Sequence, residues 1–399
     1  LAAATELRSI NYTGGAGNET VDLTAGGNPN VYYSTFLEGG VNTFKAANAG
    51  VNVLYFSQGA VGSVAVTPSA TNNKTALGFA GLDANTPVSV NLNVGGGGSL
   101  ASYGGMNVTL AAGGDNTKII GVYGGKGNDT LIGNNADNIL VGFEGDDTIV
   151  GNGGNDQLNA NRDFSPSMPG ATNVAGVATF TASSVIDIST FAAIAAANAA
   201  VPGQNATAAA LYTAFGFFST GEGVAALGGA AGLNSTSLGA DFNTANALTA
   251  TASTDTLVGG DGNDGHYGFN NARVTATGGT GNDVFSTNIA GLASTYDGGD
   301  GDDLLIGAAG FTLLGGAGND NLSFAVANAS AAQPNQSTAN GGPGNDTLSV
   351  AFRNITIDAG EGTDTVGLGN FPDDVLVFNS TTAITGGLAA FPDVRRVQR

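Results

Sequence analysis

The chain has no cysteine and no tryptophan, a single histidine, and only 11 lysines and arginines among 399 residues. Without cysteine there can be no disulfide, no thiolate zinc site and no cysteine nucleophile. One histidine, His266, excludes an HExxH zinc site and any paired-histidine metal centre. The sequence holds no GxSxG elbow and no GxxxxGK[ST] phosphate loop, so the common hydrolase and nucleotide-binding signatures are absent too. No run of eighteen apolar residues occurs, so no helical membrane span is expected. The shortage of basic residues leaves 32 Asp plus Glu and a net charge of −21. That balance argues against nucleic acid and against insertion into or binding on an anionic membrane. It suits a protein that collects cations.

What is abundant is glycine, 66 residues, and it is placed periodically. Gly124–Asn159 reads as four nonapeptides end to end: GGKGNDTLI, GNNADNILV, GFEGDDTIV and GNGGNDQLN. Gly124, Gly133, Gly142 and Gly151 open them, and Asp129, Asp147 and Asp156 follow five residues later. Asp137, four residues after its glycine, is the irregular member. A fixed internal period outranks local propensity in deciding a fold and marks a solenoid. Glycines admit the positive φ of a tight turn, which aims successive carbonyls at one point, and the Asp adds a charged oxygen there. The last three positions, as in Thr130-Leu131-Ile132, form a short strand with one apolar residue turned inward. Oxygen ligands without nitrogen or sulfur suit a hard cation, and calcium accepts six to eight of them.

The repeat resumes after residue 253. GGDGNDGHY starts at Gly259, GGTGNDVFS at Gly278, GGDGDDLLI at Gly298, GGAGNDNLS at Gly315, GGPGNDTLS at Gly341, and a weaker AGEGTDTVG at Ala359. Their starts are separated by 19, 20, 17, 26 and 18 residues, close to two nonapeptides. If two nonapeptides make one coil, that spacing puts every good turn on one edge. The opposite edge has lost its carboxylates, with Arg273 read at an Asp position. The first block, with a turn every nine residues, carries ligands on both edges.

These nonapeptides resemble the GGxGxDxUx repeats of the RTX (repeats-in-toxin) family, in which U is a large apolar residue. The resemblance implies a right-handed parallel β-roll, two nonapeptides per coil, with several Ca²⁺ ions between stacked turns. The residues it assigns to metal are Gly125, Gly127, Asp129, Asp137, Gly145, Asp147, Gly154 and Asp156 in the first block. In the second they are Gly260, Gly262, Asp264, Gly279, Gly281, Asp283, Gly299, Gly301, Asp303, Gly316, Gly318, Asp320, Gly342, Gly344, Asp346, Gly362 and Asp364.

The fold class expected is therefore all-β, a calcium-bound parallel β-roll or solenoid with a small alanine-rich helical insertion. Residues 1–112 form a β-rich N-terminal region, read as an irregular solenoid in preference to a sandwich. It includes one nonapeptide copy, Gly14–Asp22, with Glu19 in the Asp place. Residues 113–163 are the first calcium block and 164–249 the insertion. Within it, Ser189–Ala200 and Ala206–Phe218 have helical length and alanine content, with Leu211, Phe215 and Phe218 on one face. Residues 250–367 are the second block, and 368–399 a strand near Val375–Phe378 followed by a tail. The chain opens Leu1-Ala2-Ala3-Ala4, expected for a processed form or a fragment, and no signal peptide is visible. Its basic end, Arg395-Arg396-Val397-Gln398-Arg399, departs from the acidic-then-apolar tail common among RTX proteins exported by type I secretion.

No catalytic constellation is visible. His266 stands at the inward eighth position of its nonapeptide with no nucleophile or acid partner in sequence context. Asp146-Asp147 and Asp302-Asp303 are adjacent strand residues pointing oppositely, one a turn ligand and one a solvated neighbour, rather than a glycosidase pair. The expected function is a secreted or cell-surface, calcium-binding structural protein resembling RTX-type S-layer or filament subunits. Its partners would be other copies of itself, with a cell-surface polysaccharide as a further possibility. The alternative is the calcium-roll part of a type I secreted enzyme or adhesin.

Overall fold

In the computed structural model, the residues described are 9–27, 32–71, 75–79, 82–160, 171–174, 177–180, 253–268, 272–287, 293–324, 337–350 and 355–368. They form 27 strands, nearly all in parallel register with the strand one coil away. Two stacks of strands face each other. A front stack runs through Thr130–Ile132, Thr148–Gly153, Ser253–Asp261, Ala272–Thr280, Thr295–Asp300, Thr312–Ala317, Ser337–Asn340 and Ile355–Asp358. The back stack runs through Ile119–Tyr123, Ile139–Val141, Gln157–Asn159, Gly265–Gly268, Val284–Thr287, Leu304–Gly307, Asn321–Phe324, Thr347–Val350 and Thr365–Leu368.

The inward residue of each short strand fills the space between the stacks. Leu131, Ile149, Leu257, Leu313, Leu140, Leu158, Leu305, Leu322 and Leu348 are all fully buried. Each such side chain contributes about 1.5–3 kcal/mol relative to exposure. A three-residue strand offers only one of them, so a coil is stable only when stacked on its neighbours.

The N-terminal region continues the same parallel stacking. Ser9–Thr13 lies on Tyr32–Lys45, which lies on Val51–Thr67. These strands, 14 and 17 residues long, run through both a back and a front segment. The turn at Gly39–Gly40 sits where their register shifts. From Val51–Thr67 the back stack passes through Thr75–Gly78 to Ile119–Tyr123. The front stack passes to Gly105–Leu110, crosses an antiparallel interlude at Ser99–Tyr103, and rejoins the roll through Ser89–Asn91. The sheet is thus mixed, parallel with a short antiparallel section.

The expected helical insertion is corrected by the structure. Among the described residues no helix reaches seven residues, and the only helical element is the 3₁₀ turn Asn116–Lys118. The described part of the insertion is an antiparallel hairpin, Ala171–Val174 against Val177–Phe180. In sequence Thr172, Val174, Val177 and Thr179 are β-branched, which favours a pleated strand. Ser189–Ala200, Ala206–Phe218 and Val375–Phe378 lie outside the described residues.

Leaving residues 161–252 aside, the roll is uninterrupted: Thr148 pairs with Thr256, and Leu158 with His266, as ordinary neighbours. Nothing in the stacking marks the junction. No helix among the described residues is long and apolar enough to cross a membrane.

Candidate metal centre

The turns of the roll line two edges. On the long edge, where the chain passes from front to back, are residues 133–138, 151–156, 259–264, 278–283, 298–303, 315–320, 341–346 and 359–364. On the short edge, passing from back to front, are 124–129 and 142–147, followed by Asp255 at the re-entry after residue 252.

Each turn is tied to the next by its sixth residue. On the long edge Asn138 N–H donates to Asp156 Oδ1, Asp156 to Asp264, Asp264 to Asp283, and Asp283 to Asp303. Asp303 then donates to Asp320, Asp320 to Asp346, and Asp346 to Asp364, all at 2.7–3.0 Å. The short edge has the same ladder in brief: Val88 to Asp129, Asp129 to Asp147, and Asp147 to Asp255. There the carboxylate ladder stops, because the next inner place is Val274, which has no side-chain acceptor; Asp255 Oδ2 accepts from the Ser253 hydroxyl at 2.9 Å. Further along this edge Val274, Ser294, Phe311 and Ser337 take the inner place.

Oδ1 is therefore occupied, and the question is what Oδ2 meets. In Asp147, Asp156, Asp264, Asp283, Asp303, Asp320, Asp346 and Asp364 it is buried without a hydrogen-bond partner. Except in Asp364, whose turn opens with Ala359, it lies beside the glycine opening its own turn and the carbonyl that opens the next. At Gly278, a Cβ would collide with both Asp283 Oδ2 and the Gly298 carbonyl; Gly142, Gly151, Gly259, Gly298, Gly315 and Gly341 repeat this arrangement. An unpartnered anionic oxygen facing a carbonyl oxygen across a gap kept open by glycine is a cation's place.

The backbone explains why the second and fourth turn positions are glycine. Gly260, Gly279, Gly299, Gly316 and Gly342 have φ between 102° and 121°, and Gly262, Gly281, Gly301, Gly318, Gly344 and Gly362 between 126° and 152°. A Cβ on any of these would strike the carbonyl oxygen of the same position one coil earlier. The carbonyls thus stack in columns directly beneath glycine. In the first block Phe143 and Asn152 hold the second position at φ 80°, a conformation rare for a side-chain-bearing residue.

Electrostatics agree. Burial, reinforced by neighbouring carboxylates, pushes Asp147, Asp156 and Asp283 up to about 9 and Asp303 up to about 8. Burial likewise raises Asp264 and Asp320 to about 7, and Asp129, Asp255 and Asp346 to about 6. Without a counter-charge these groups favour the protonated state, and a divalent cation would reverse that. Among the described residues no three acidic, histidine or cysteine side chains cluster closely enough to hold a metal unaided. Turn carbonyls would have to complete the coordination shell.

Not every sequence-predicted residue falls in this arrangement. Asp129 sits in the inner ladder, but its Oδ2 already accepts from Gly125 N–H at 2.6 Å. Neither Gly125 nor Gly127 has positive φ. The turn at 133–138 is closed in the same way, with Asn134 N–H on Asn138 Oδ1. Glu19, in the copy near the start, accepts from Gly15 N–H through Oε1, while its Oε2 is buried without a partner beside Gly14. Asp137 takes the outer place, and Asn138 the inner one. Arg273 also lies one place out, paired with Thr254, and Val274 holds the inner position opposite Asp255.

The outer place forms a second ladder. Asp137 Oδ1 accepts from Asn155 N–H, Asn155 from Asn263, Asn263 from Asn282, Asn282 from Asp302, and Asp302 from Asn319. Asn319 accepts from Asn345, and Asn345 from Thr363. Asn128, Asp146 and Thr254 do the same on the short edge. Asp146 and Asp302 are therefore more than solvated neighbours, since each accepts the backbone N–H of the next coil. The sequence signal was present: the fifth place of nearly every turn is Asn or Asp. Asp255 is the other residue missed, because its turn lacks the glycines that mark the motif.

His266 is fully buried, stacked on Phe285 at 4.4 Å and 6° between ring planes. Burial lowers its pKa to about 3, so it is neutral at physiological pH. It is an aromatic member of the inner column.

Comparison with known proteins agrees with this geometry. A family described as RTX calcium-binding nonapeptide repeat (4 copies) matches residues 123–158 and 242–265. No curated protein matches the chain. Such repeats are structural and non-catalytic, and the chain carries RTX-type calcium-binding nonapeptide repeats within an all-β scaffold.

Proposed function

We propose that this protein is an extracellular structural subunit that folds on calcium and assembles with copies of itself into a surface layer or filament. The observation that supports this best is the continuity of the solenoid. From Ser9 to Leu368 the described chain is stacked coils, with buried carboxylates waiting for cations on the edges and, among the described residues, no acid, base and nucleophile gathered together. The ions sit between successive turns, where Asp147 on the short edge, and Asp156, Asp264, Asp283, Asp303, Asp320, Asp346 and Asp364 on the long edge, supply the charged oxygen. The glycine-column carbonyls supply the others. Calcium neutralises the acidic edges, which lets copies carrying a charge of −21 approach one another. Extracellular calcium, at affinities of about 10⁻⁴–10⁻³ M per site, would then gate both folding and assembly.

The test is electron microscopy and light scattering of the full chain at millimolar calcium and in chelator. Ordered polymers in calcium alone are the expected result. A folded, calcium-bound monomer at every concentration would overturn assembly and favour the roll of a secreted enzyme or adhesin.

A further inference from the structure

One column of the front sheet departs from what the metal motif requires. Its outward position reads Ser89, Thr130, Thr148, Thr256, Thr275, Thr295, Thr312, Thr338 and Thr356, each paired with the next in register. The residues from Ser89 to Thr275 are exposed and the rest half-buried. Strand spacing makes the column about 38 Å long.

On the short edge of the first block, threonine follows the inner-ladder Asp, in Asp129-Thr130 and Asp147-Thr148, so its presence could be inherited with the motif. The second block separates the two. After the short-edge turns the Asp is gone but the threonine stays, in Val274-Thr275, Ser294-Thr295, Phe311-Thr312, Ser337-Thr338 and Ile355-Thr356. After the long-edge turns the Asp stays but the next residue varies, through Gln157, Gly265, Val284, Leu304 and Asn321, with threonine only at the last two, Thr347 and Thr365. Strand propensity does not account for this either. The neighbouring outward column, two residues on, varies freely through Ile132, Val150, Val258, Thr277, Asp297 and Leu314.

The two outer faces also differ in exposure. On the back sheet Ile139, Val141, Gln157, Asn159 and Val284 are 2% exposed or less, whereas Thr347, Ser349 and Thr365 at its far end are exposed. On the front, from Ser89 to Thr277, the face is open and carries no charge in either column.

We propose that this threonine column is the face through which a second copy of the chain docks, front sheet to front sheet. The proposal rests on the assembly reading above. A repeating column is complementary to itself under a two-fold axis, as an isologous contact demands. Threonine serves both sides, its methyl packing and its hydroxyl acting as donor or acceptor. In a chain of charge −21 a strip without carboxylates is where two copies can come close. A contact this narrow is small for an isolated dimer and suits a lattice, in which each weak contact is multiplied.

The absence of cysteine makes the test clean. Thr130→Cys, Thr148→Cys, Thr256→Cys and Thr275→Cys are made singly in the full chain, with Thr347→Cys on the back sheet as the control. Under mild oxidation at millimolar calcium, disulfide-linked pairs form at the column, strongest at one position and fading to either side, and not at Thr347. The double variant Thr148→Lys/Thr275→Lys keeps the calcium-dependent β spectrum and needs a concentration at least about tenfold higher to assemble. If the unmodified chain polymerises while the column cysteines link no better than Thr347→Cys, this contact is wrong and the assembly reading stands. Assembly of the lysine variant at the unmodified chain's concentration excludes the contact in the same way. If the unmodified chain stays monomeric at millimolar calcium, both fall together.

Discussion

The two edges of the roll begin alike and end differently. Each starts with a closed turn whose inner side chain is satisfied within its own loop, Gly125 N–H on Asp129 and Asn134 N–H on Asn138. The long edge then carries seven carboxylates with a free Oδ2. The short edge carries one, Asp147, and ends at Asp255 under the Ser253 hydroxyl. Beyond that point serines replace carboxylates and still bond to the neighbouring backbone: Val274 N–H donates to Ser294 Oγ, and Gly310 N–H to Ser337 Oγ. The hydrogen-bonded ladder and the metal site are therefore separable. Ser or Asn can serve the first, whereas the second also needs an ionised, unpartnered oxygen and the glycine gap beside it.

The strongest test of that separation is calcium removal. In chelator at neutral pH the long edge keeps seven carboxyl groups, ionised or protonated, whose buried Oδ2 has no partner. Loss of the β signal in circular dichroism is expected there, and an unchanged spectrum would refute the account. Proton linkage is the next largest effect. The raised pKa values mean that the folded apo roll binds more protons than the unfolded chain between about pH 4 and about pH 9. Apo stability is then fully present at the acid end and is lost as pH rises through that window. Chelated protein should melt highest near pH 4–5, and calcium binding at neutral pH should release protons, visible as a buffer-dependent heat in calorimetry.

Substitutions compare the edges directly. Asp283→Asn keeps an Oδ1 acceptor and removes the charged oxygen. Calcium affinity measured by titration should fall by at least about tenfold, the scale of losing even a supporting residue. Asp129→Asn, in a closed turn, should change it far less, and equal losses would erase the distinction between open and closed turns. Gly281→Ala, at φ 126° with the Gly262 carbonyl in the way, should cost about 1–3 kcal/mol or more in a denaturant melt. Gly125→Ala, where φ is not positive, should cost less. The smallest effect is expected from the outer ladder: Asn282→Ala removes one acceptor, about 0.5–1.5 kcal/mol, with calcium affinity nearly unchanged.

Much of this was legible in the sequence because a nonapeptide period leaves few alternatives. A glycine-Asp turn every nine residues, with one apolar residue between, can bury that residue only by stacking. The near-eighteen spacing of the second block correctly put Asp264, Asp283, Asp303, Asp320 and Asp346 on one edge. The errors were of two kinds. A residue count could not resolve Asp137 from Asn138, or Arg273 from Val274, because the inner and outer places are adjacent and only register with the neighbouring coil tells them apart. The insertion as a whole was expected to be partly helical from its alanine content, whereas its described part, Ala171–Phe180, is a strand hairpin.

While the two-strand coil came with the resemblance to RTX repeats, the sequence by itself determined the solenoid, the oxygen-only chemistry of its turns and the absence of cysteine and histidine-pair chemistry. These depend on composition and period, which are local properties. Only the tertiary structure decided which carboxylates remain without a partner, that Asp255 completes the short ladder across 108 residues, and that the back face is covered from Ile139 to Val284 while the front displays a threonine column in register. Each of those is a relation between coils. It arises from which N–H group of one turn reaches which oxygen of the next, and no single repeat contains that information.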